Sequence, residues 1–342
     1  MKTPLVYGSL LRLALIAATV SIQNTAFASD TVQSPGQKPV PSLLSVAEAD
    51  FKRGAYDKVT EALWKNIDTL DRKALILLAL AHEKKNDPTN MLKVANILTS
   101  KNEKDFEAYY LIGGAQLMKK KSPEALEALK TCLDINPKYL PAYTKLSEMY
   151  EEKKNYYELR ILYQDMLENI GRKAEFLSKL CEINANDHQE DQALSSCKEA
   201  IQKAPRVAEN FVYLGLVQKQ AGDIDIAKKS LKSAADTHTK SEFAQYTYAS
   251  LLEEQKNYLE SSQYYLRATK ADSKSARSWL GYAKSSFEIR KYEAALEAFK
   301  KACKLDQKNA VAFRRAATAL KNTKDTGWTD RFSSAADACS GY

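Results

Sequence analysis

Three observations predict an all-α solenoid built from helix-turn-helix hairpins. A pattern of small and apolar residues recurs every 34 positions, the signature of stacked supersecondary units. Within each period the apolar residues fall at i, i+3, i+4 and i+7, one face of an amphipathic helix, and no alternating run marks a strand. Glycine and proline are scarce, 11 and 9 in 342 residues, so little interrupts a helix. With 44% hydrophobic and 27% charged residues, collagen-like, wholly disordered and polytopic membrane chains are excluded. Length alone would predict about two globular domains; the period replaces that reading.

The elements follow in chain order. Residues 1–28 read as a secretory signal peptide: Lys2 and Arg12 are basic, Leu13 to Ile22 is an uncharged, mostly apolar run, and Ala26-Phe27-Ala28 fits small-x-small cleavage before Ser29. A transmembrane anchor is the alternative, but such an anchor needs roughly 20 apolar residues. Residues 29–39 form a polar linker bearing Pro and Gly. A first unit spans 40–71. Units 72–105, 106–139, 140–173, 174–207, 208–241, 242–275 and 276–309 follow without insertion. Residues 310–322 read as a capping helix and 323–342 as a tail able to form a short helix.

One position must be small wherever two helices approach closely. The eighth residue of the units is Ala47, Ala79, Gly113, Ser147, Cys181, Gly215, Ala249 and Ala283, small every time. The twentieth is small in five units: Ala125, Ala193, Ala227, Ser261 and Ala295. Polar turns such as Lys153-Lys154-Asn155-Tyr156 and Ala221-Gly222-Asp223 separate the two helices of a unit. Val59 and Met91 make the first two units degenerate, and Pro88 falls at a turn.

This pattern resembles the tetratricopeptide repeat family over residues 40–322. Ala295, Phe299 and Ala302 match its second-helix signature, Pro137 and Pro205 its closing proline, and Phe211, Leu214 and Gly215 its first-helix signature. Stacked hairpins are expected to form a right-handed superhelical solenoid of about eight units with a concave face. The resemblance implies that the first helix of each unit lines this face and that the chain binds a segment of another protein there.

Positions 2, 5, 9, 12 and 13 of each unit then become groove candidates. They include Tyr110, Gly114, Leu117 and Met118 in one unit, and an acidic stretch of Glu148, Glu151, Glu152, Glu175 and Glu182 in the next two. Later units add Val212, Leu216 and Lys219, then Phe243 and Tyr246, then Arg277, Leu280 and Phe287. Apolar patches around an acidic centre suit a basic or mixed segment with hydrophobic anchors. Packing against the neighbouring helix is the competing role for each of these residues. The Lys and Asn clamp with which a subclass of the family grips C-terminal carboxylates is not matched: Tyr110, Thr144, Ser178 and Glu148 stand on that surface.

Five cysteines in an exported chain raise the question of disulfides. Cys181 and Cys197 flank the turn near His188 at similar distances on antiparallel helices, which makes a bridge plausible; two buried free thiols are the alternative. Cys303 and Cys339 form a second candidate pair if 329–340 is helical, and Cys132 reads as a buried free thiol. His82, His188 and His238 have no metal-ligand spacing, and no nucleophile, P-loop or dinucleotide motif occurs. No enzyme, metal or cofactor is expected. The net charge of +8 is spread along the chain without interleaved aromatics, so nucleic acid is not an expected partner. The expectation is therefore an exported, periplasmic adaptor that binds another envelope protein or peptide segment and does not span the membrane once the signal is cleaved. Direct binding to an anionic cell-wall polymer is the alternative, and the oligomeric state is left open.

Overall fold

The computed structural model describes residues 42–321 and 326–340. The signal peptide and linker expected at 1–39 lie outside the described residues. Within them the chain is an all-α solenoid of hairpins, divided into two bodies that meet in sequence at Gly171 and Arg172.

The N-terminal body holds α1 (Leu43–Lys52), α2 (Tyr56–Trp64), a 3-10 turn (Ile67–Thr69), α3 (Arg72–Lys84), α4 (Pro88–Lys101), α5 (Phe106–Met118), α6 (Ser122–Ile135), α7 (Leu140–Glu152) and α8 (Tyr156–Asn169). The C-terminal body holds α9 (Ala174–Asn186), α10 (Glu190–Lys203), α11 (Ala208–Gln220), α12 (Ile224–Thr237), α13 (Glu242–Glu254), α14 (Tyr258–Ala271), α15 (Ala276–Glu288), α16 (Tyr292–Leu305), α17 (Ala310–Lys321) and α18 (Thr326–Ser340). From α3 to α16 each first helix has 13 residues and begins on the first residue of a 34-residue unit; each second helix has 14.

Local chemistry sets these boundaries. Asp71, Asp87 and Ser241 cap their helices by accepting hydrogen bonds from the N–H groups of Ala74, Asn90 and Ala244. Pro88, at the turn of its unit, does not break the hairpin. It sits in the first turn of α4, where its missing N–H costs nothing. Each first helix ends in a Schellman turn: Lys120 N–H donates to Leu117 C=O (2.9 Å) and Lys121 N–H to Gln116 C=O (2.9 Å), with Lys120 in the left-handed region. The same left-handed position recurs at Gly54, Asn86, Lys154, His188, Gly222, Lys256 and Arg290.

Packing follows the expected register. All eight small residues at the eighth position are buried. At two of them the second helix of the same hairpin leaves no space: a Cβ on Gly113 would lie 2.7 Å from Leu129 Cγ, and one on Gly215 2.6 Å from Leu231 Cγ. At the C-terminal end the segment expected to be able to form a short helix is helical. Helix α18 packs on α17 and α16 as the partner of a ninth hairpin, with Phe332 and Ala336 fully buried. Phe332 closes an aromatic core with Phe287, Tyr292, Phe299, Phe313 and Trp328. Burying Phe332 there accounts for the order of this segment, at about 1.5–3 kcal/mol for such a side chain.

Candidate functional site

In the N-terminal body the first helices α3, α5 and α7 carry the candidate face. Ile76 and Leu80 of α3 and Met118 of α5 are half-buried apolar groups. Tyr110 packs edge-on against Tyr139, ring centroids 5.3 Å apart. Lys145 of α7 lies over the Tyr110 ring, 5.3 Å from its centroid, and reaches Glu83 of α3 at 3.8 Å. It therefore crosses α5, and Gly114 leaves room for it: a Cβ there would meet only Met91 Cε at 3.2 Å and Lys145 Cε and Nζ at 3.9 Å. Burial raises the Tyr110 hydroxyl well above its usual range, and the Glu83 and Glu148 carboxylates add to the shift. The phenol stays protonated there, a donor on an acidic face. Glu148, Glu151 and Glu152 are exposed, and Leu117 is half-buried.

At the base of this face, Asp105 caps α5 and is almost fully buried. Arg72 of α3 meets it with two hydrogen bonds, Nε to Oδ2 at 2.6 Å and Nη2 to Oδ1 at 2.8 Å. This fork pins consecutive first helices together.

The C-terminal body treats its candidates differently. Phe243, Tyr246 and Arg277 come together: the guanidinium lies 4.5 Å from the Tyr246 ring centroid and 5.9 Å from that of Phe243. Glu242 holds it, with Arg277 Nε donating to Oε1 at 3.0 Å. Ser275 and Ser278 hydroxyls also donate to Glu242. Burial alone would raise the Glu242 carboxyl, but the Arg277 and serine hydrogen bonds outweigh it and hold it below the ordinary carboxylate range. A depression of about 670 Å³ adjoins this cluster, lined by Arg206, Glu209, His238, Lys240, Ser241 and Phe243 among others.

Other candidates do not form an open face. Val212 and Leu216 are buried, at 0% and 6% exposure, because α11 is packed between α9 and α13. Leu280 and Phe287 pack against the terminal aromatic core that Phe332 of α18 completes. Glu182 is buried and bound by Lys179 at 3.1 Å. Glu175 is exposed at the start of α9, and Lys219 pairs with Glu254 at 2.7 Å. Lys145, Glu83 and the Arg72–Asp105 pair escaped the sequence reading. A lysine at the sixth position, where Leu111 and Tyr213 stand in other units, is the one available signal.

Cys181 and Cys197 form a close pair with Cα atoms 4.6 Å apart, and so do Cys303 and Cys339 at 5.8 Å; Cys132 is buried and free. His82 is buried against Trp64 and Asp87, His188 takes a turn position, and His238 ends α12. Among the described residues no group of three metal-ligating side chains occurs, and no helix is long and apolar enough to cross a membrane.

No curated protein sequence matches the chain. Its fold is similar to several solved structures. One, from work described as the functional characterization of Pseudomonas aeruginosa pilF, is 20% identical with a TM-score of 0.45, covering 60% of this chain and 94% of that one. YrrB, described as a TPR protein with an unusual peptide-binding site, is 15% identical with a TM-score of 0.41, covering 54% and 95%. MamA is 17% identical with a TM-score of 0.40, covering 48% and 89%. The profile of the tetratricopeptide repeat matches residues 106–139 and 246–310. Such repeats make a protein–protein interaction scaffold. Both matches fall on the 34-residue frame kept by the helices from α3 to α16, and these residues are tetratricopeptide repeats.

Proposed function

We propose that the chain is a non-enzymatic adaptor of the bacterial cell envelope that holds a segment of another protein against its first-helix faces. The observation that carries this reading is the face of α3, α5 and α7, where the half-buried apolar groups Ile76, Leu80 and Met118 share the first helices with the exposed carboxylates of Glu148, Glu151 and Glu152. A segment of basic or mixed charge fits it. An apolar anchor would seat on Ile76, Leu80 and Met118, and Lys or Arg groups of the segment would meet Glu148 and Glu152. The Phe243–Tyr246–Arg277 cluster offers the C-terminal body a second contact of aromatic character.

Export rests on residues 1–28, and the cysteine pairs support an oxidising compartment in which both would be disulfides. Intact-mass measurement of the chain recovered from an envelope fraction tests the first point: a mature protein beginning at Ser29 is expected, and a retained Met1 end found in the cytosol would refute it. The binding role is tested by crosslinked pull-down from envelopes with the parent chain and a Glu148→Lys/Glu152→Lys variant. Both substitutions are on exposed side chains, so the fold is kept. Recovery of a protein by the parent and its loss in the variant are expected. Equal recovery by both, or none by the parent, would sink the proposal.

A further inference from the structure

The hairpin turns carry a feature that peptide binding does not use. At each of the eight turns from Gly54 to Arg290 one residue is left-handed. Glycine takes that conformation freely at Gly54 and Gly222, and asparagine cheaply at Asn86. At Lys120 (φ 59°), Lys154 (52°), Lys256 (60°) and Arg290 (59°) a cation occupies it instead, against a steric cost that glycine would remove. Those residues stand at the tips of their hairpins, and neighbours extend the charge: Lys119 and Lys121 beside Lys120, Lys153 beside Lys154, Lys291 beside Arg290. Lys121 lies 3.8 Å from Glu124. Lys119, Lys120, Lys153 and Lys154 have no carboxylate within 4.0 Å among the described residues. Glu152 tempers the charge beside Lys153, so several tips must act together.

A second observation falls on the same edge. Large hydrophobic side chains stand exposed in the first three residues of second helices, directly after these turns: Tyr157 (60% exposed), Ile224 (39%), Ile226 (51%) and Leu259 (57%). Lys154 precedes Tyr157 and Lys256 precedes Leu259, while Asp223 and Asp225 flank the two isoleucines; cations beside exposed apolar groups are what an anionic membrane interface selects. A soluble polyanion would reward the lysines but gain nothing from Ile226 or Leu259.

We propose that the turn edge of each body is a docking surface for an anionic lipid bilayer. The Lys and Arg tips meet the headgroups, and Tyr157, Ile224, Ile226 and Leu259 seat at the boundary between headgroup and acyl chain. Flotation with vesicles tests this, using phosphatidylcholine alone and with about three parts in ten of phosphatidylglycerol, a fraction that gives a strongly negative surface. The parent is compared with Lys120→Asn/Lys154→Asn, in which asparagine tolerates the left-handed turn, and with Tyr157→Ser/Ile226→Ser/Leu259→Ser. Circular dichroism confirms folding, and any contribution of the N-terminal residues is common to all three proteins. The lysine variant is expected to lose about fivefold in partitioning per lysine on the anionic vesicles, and the serine variant to lose partitioning as well. Equal partitioning of the lysine variant and the parent would overturn the proposal. So would an unchanged serine variant whose vesicle binding is competed away by soluble polyphosphate, because that would make the edge a polyanion site.

Discussion

Gly113 and Gly114 are neighbours on α5, yet an added methyl should do opposite things at the two positions. Alanine in a helix interior is favoured over glycine by about 0.8–1.0 kcal/mol, and this gain is common to both. At Gly114 the tightest contact of the new Cβ is with the terminal methyl of Met91 at 3.2 Å, the far end of a flexible side chain, so most of the gain should survive. At Gly113 it falls 2.7 Å from Leu129 Cγ and 2.9 Å from Cδ2, with the Ala125 carbonyl oxygen at 3.3 Å. Leu129 is fully buried and cannot swing aside. Helix α6 must move, at about 1–3 kcal/mol for overpacking. Gly114→Ala should therefore be stabilised by up to about 1 kcal/mol. Gly113→Ala should be neutral or destabilised by as much as about 2 kcal/mol once the overpacking cost is set against that gain. Urea unfolding followed by helical circular dichroism measures both, with equal slopes required for the comparison. Coincident midpoints, or a Gly113→Ala protein more stable than Gly114→Ala, would refute the register and the close contact together.

Other outcomes follow from the same packing and charge. Gly215→Leu should lower stability by at least about 1–3 kcal/mol, read as a lower melting temperature, because Leu231 is already in contact with that position. Arg72→Met should cost about 1–3 kcal/mol; stranding a fully buried carboxylate costs more, but Arg72 is half exposed. Glu242 is held below its usual 4.5, so its contribution is present above that pH and is lost as pH falls through the lowered folded value. Stability curves of the parent and Glu242→Gln should thus converge in acid, and parallel curves down to pH about 2 would deny Glu242 that role. Alkylation of the denatured, unreduced chain should label Cys132 alone, with five adducts after reduction; five without reduction would remove both disulfides.

Much of the fold was legible in the residues because its repeating constraint is steric. Ala79, Gly113, Cys181 and Gly215 are all small because a second helix lies against each, and that requirement recurs in sequence at the repeat period. The ninth hairpin was harder to read: Phe332 and Ala336 carry no repeat signature, and only their contact with the aromatic core explains why they are buried. The candidate face was legible by position but not by exposure. Tyr110 and Gly114 both neighbour Lys145, but Gly114 is buried, as are Val212 and Leu216 at the equivalent positions of a later unit.

Local periodicity acts through neighbours in sequence, so the 34-residue frame, the turn positions and the proximity of Cys181 to Cys197 could be read from the residues alone. Groups brought together from different hairpins could not. Lys145 crossing α5 to reach Glu83, Arg72 forked onto Asp105 and Arg277 lying over Tyr246 each depend on how far first helices approach one another. That spacing is set by the packed volume of every side chain between them, a sum over the folded chain that no single repeat contains.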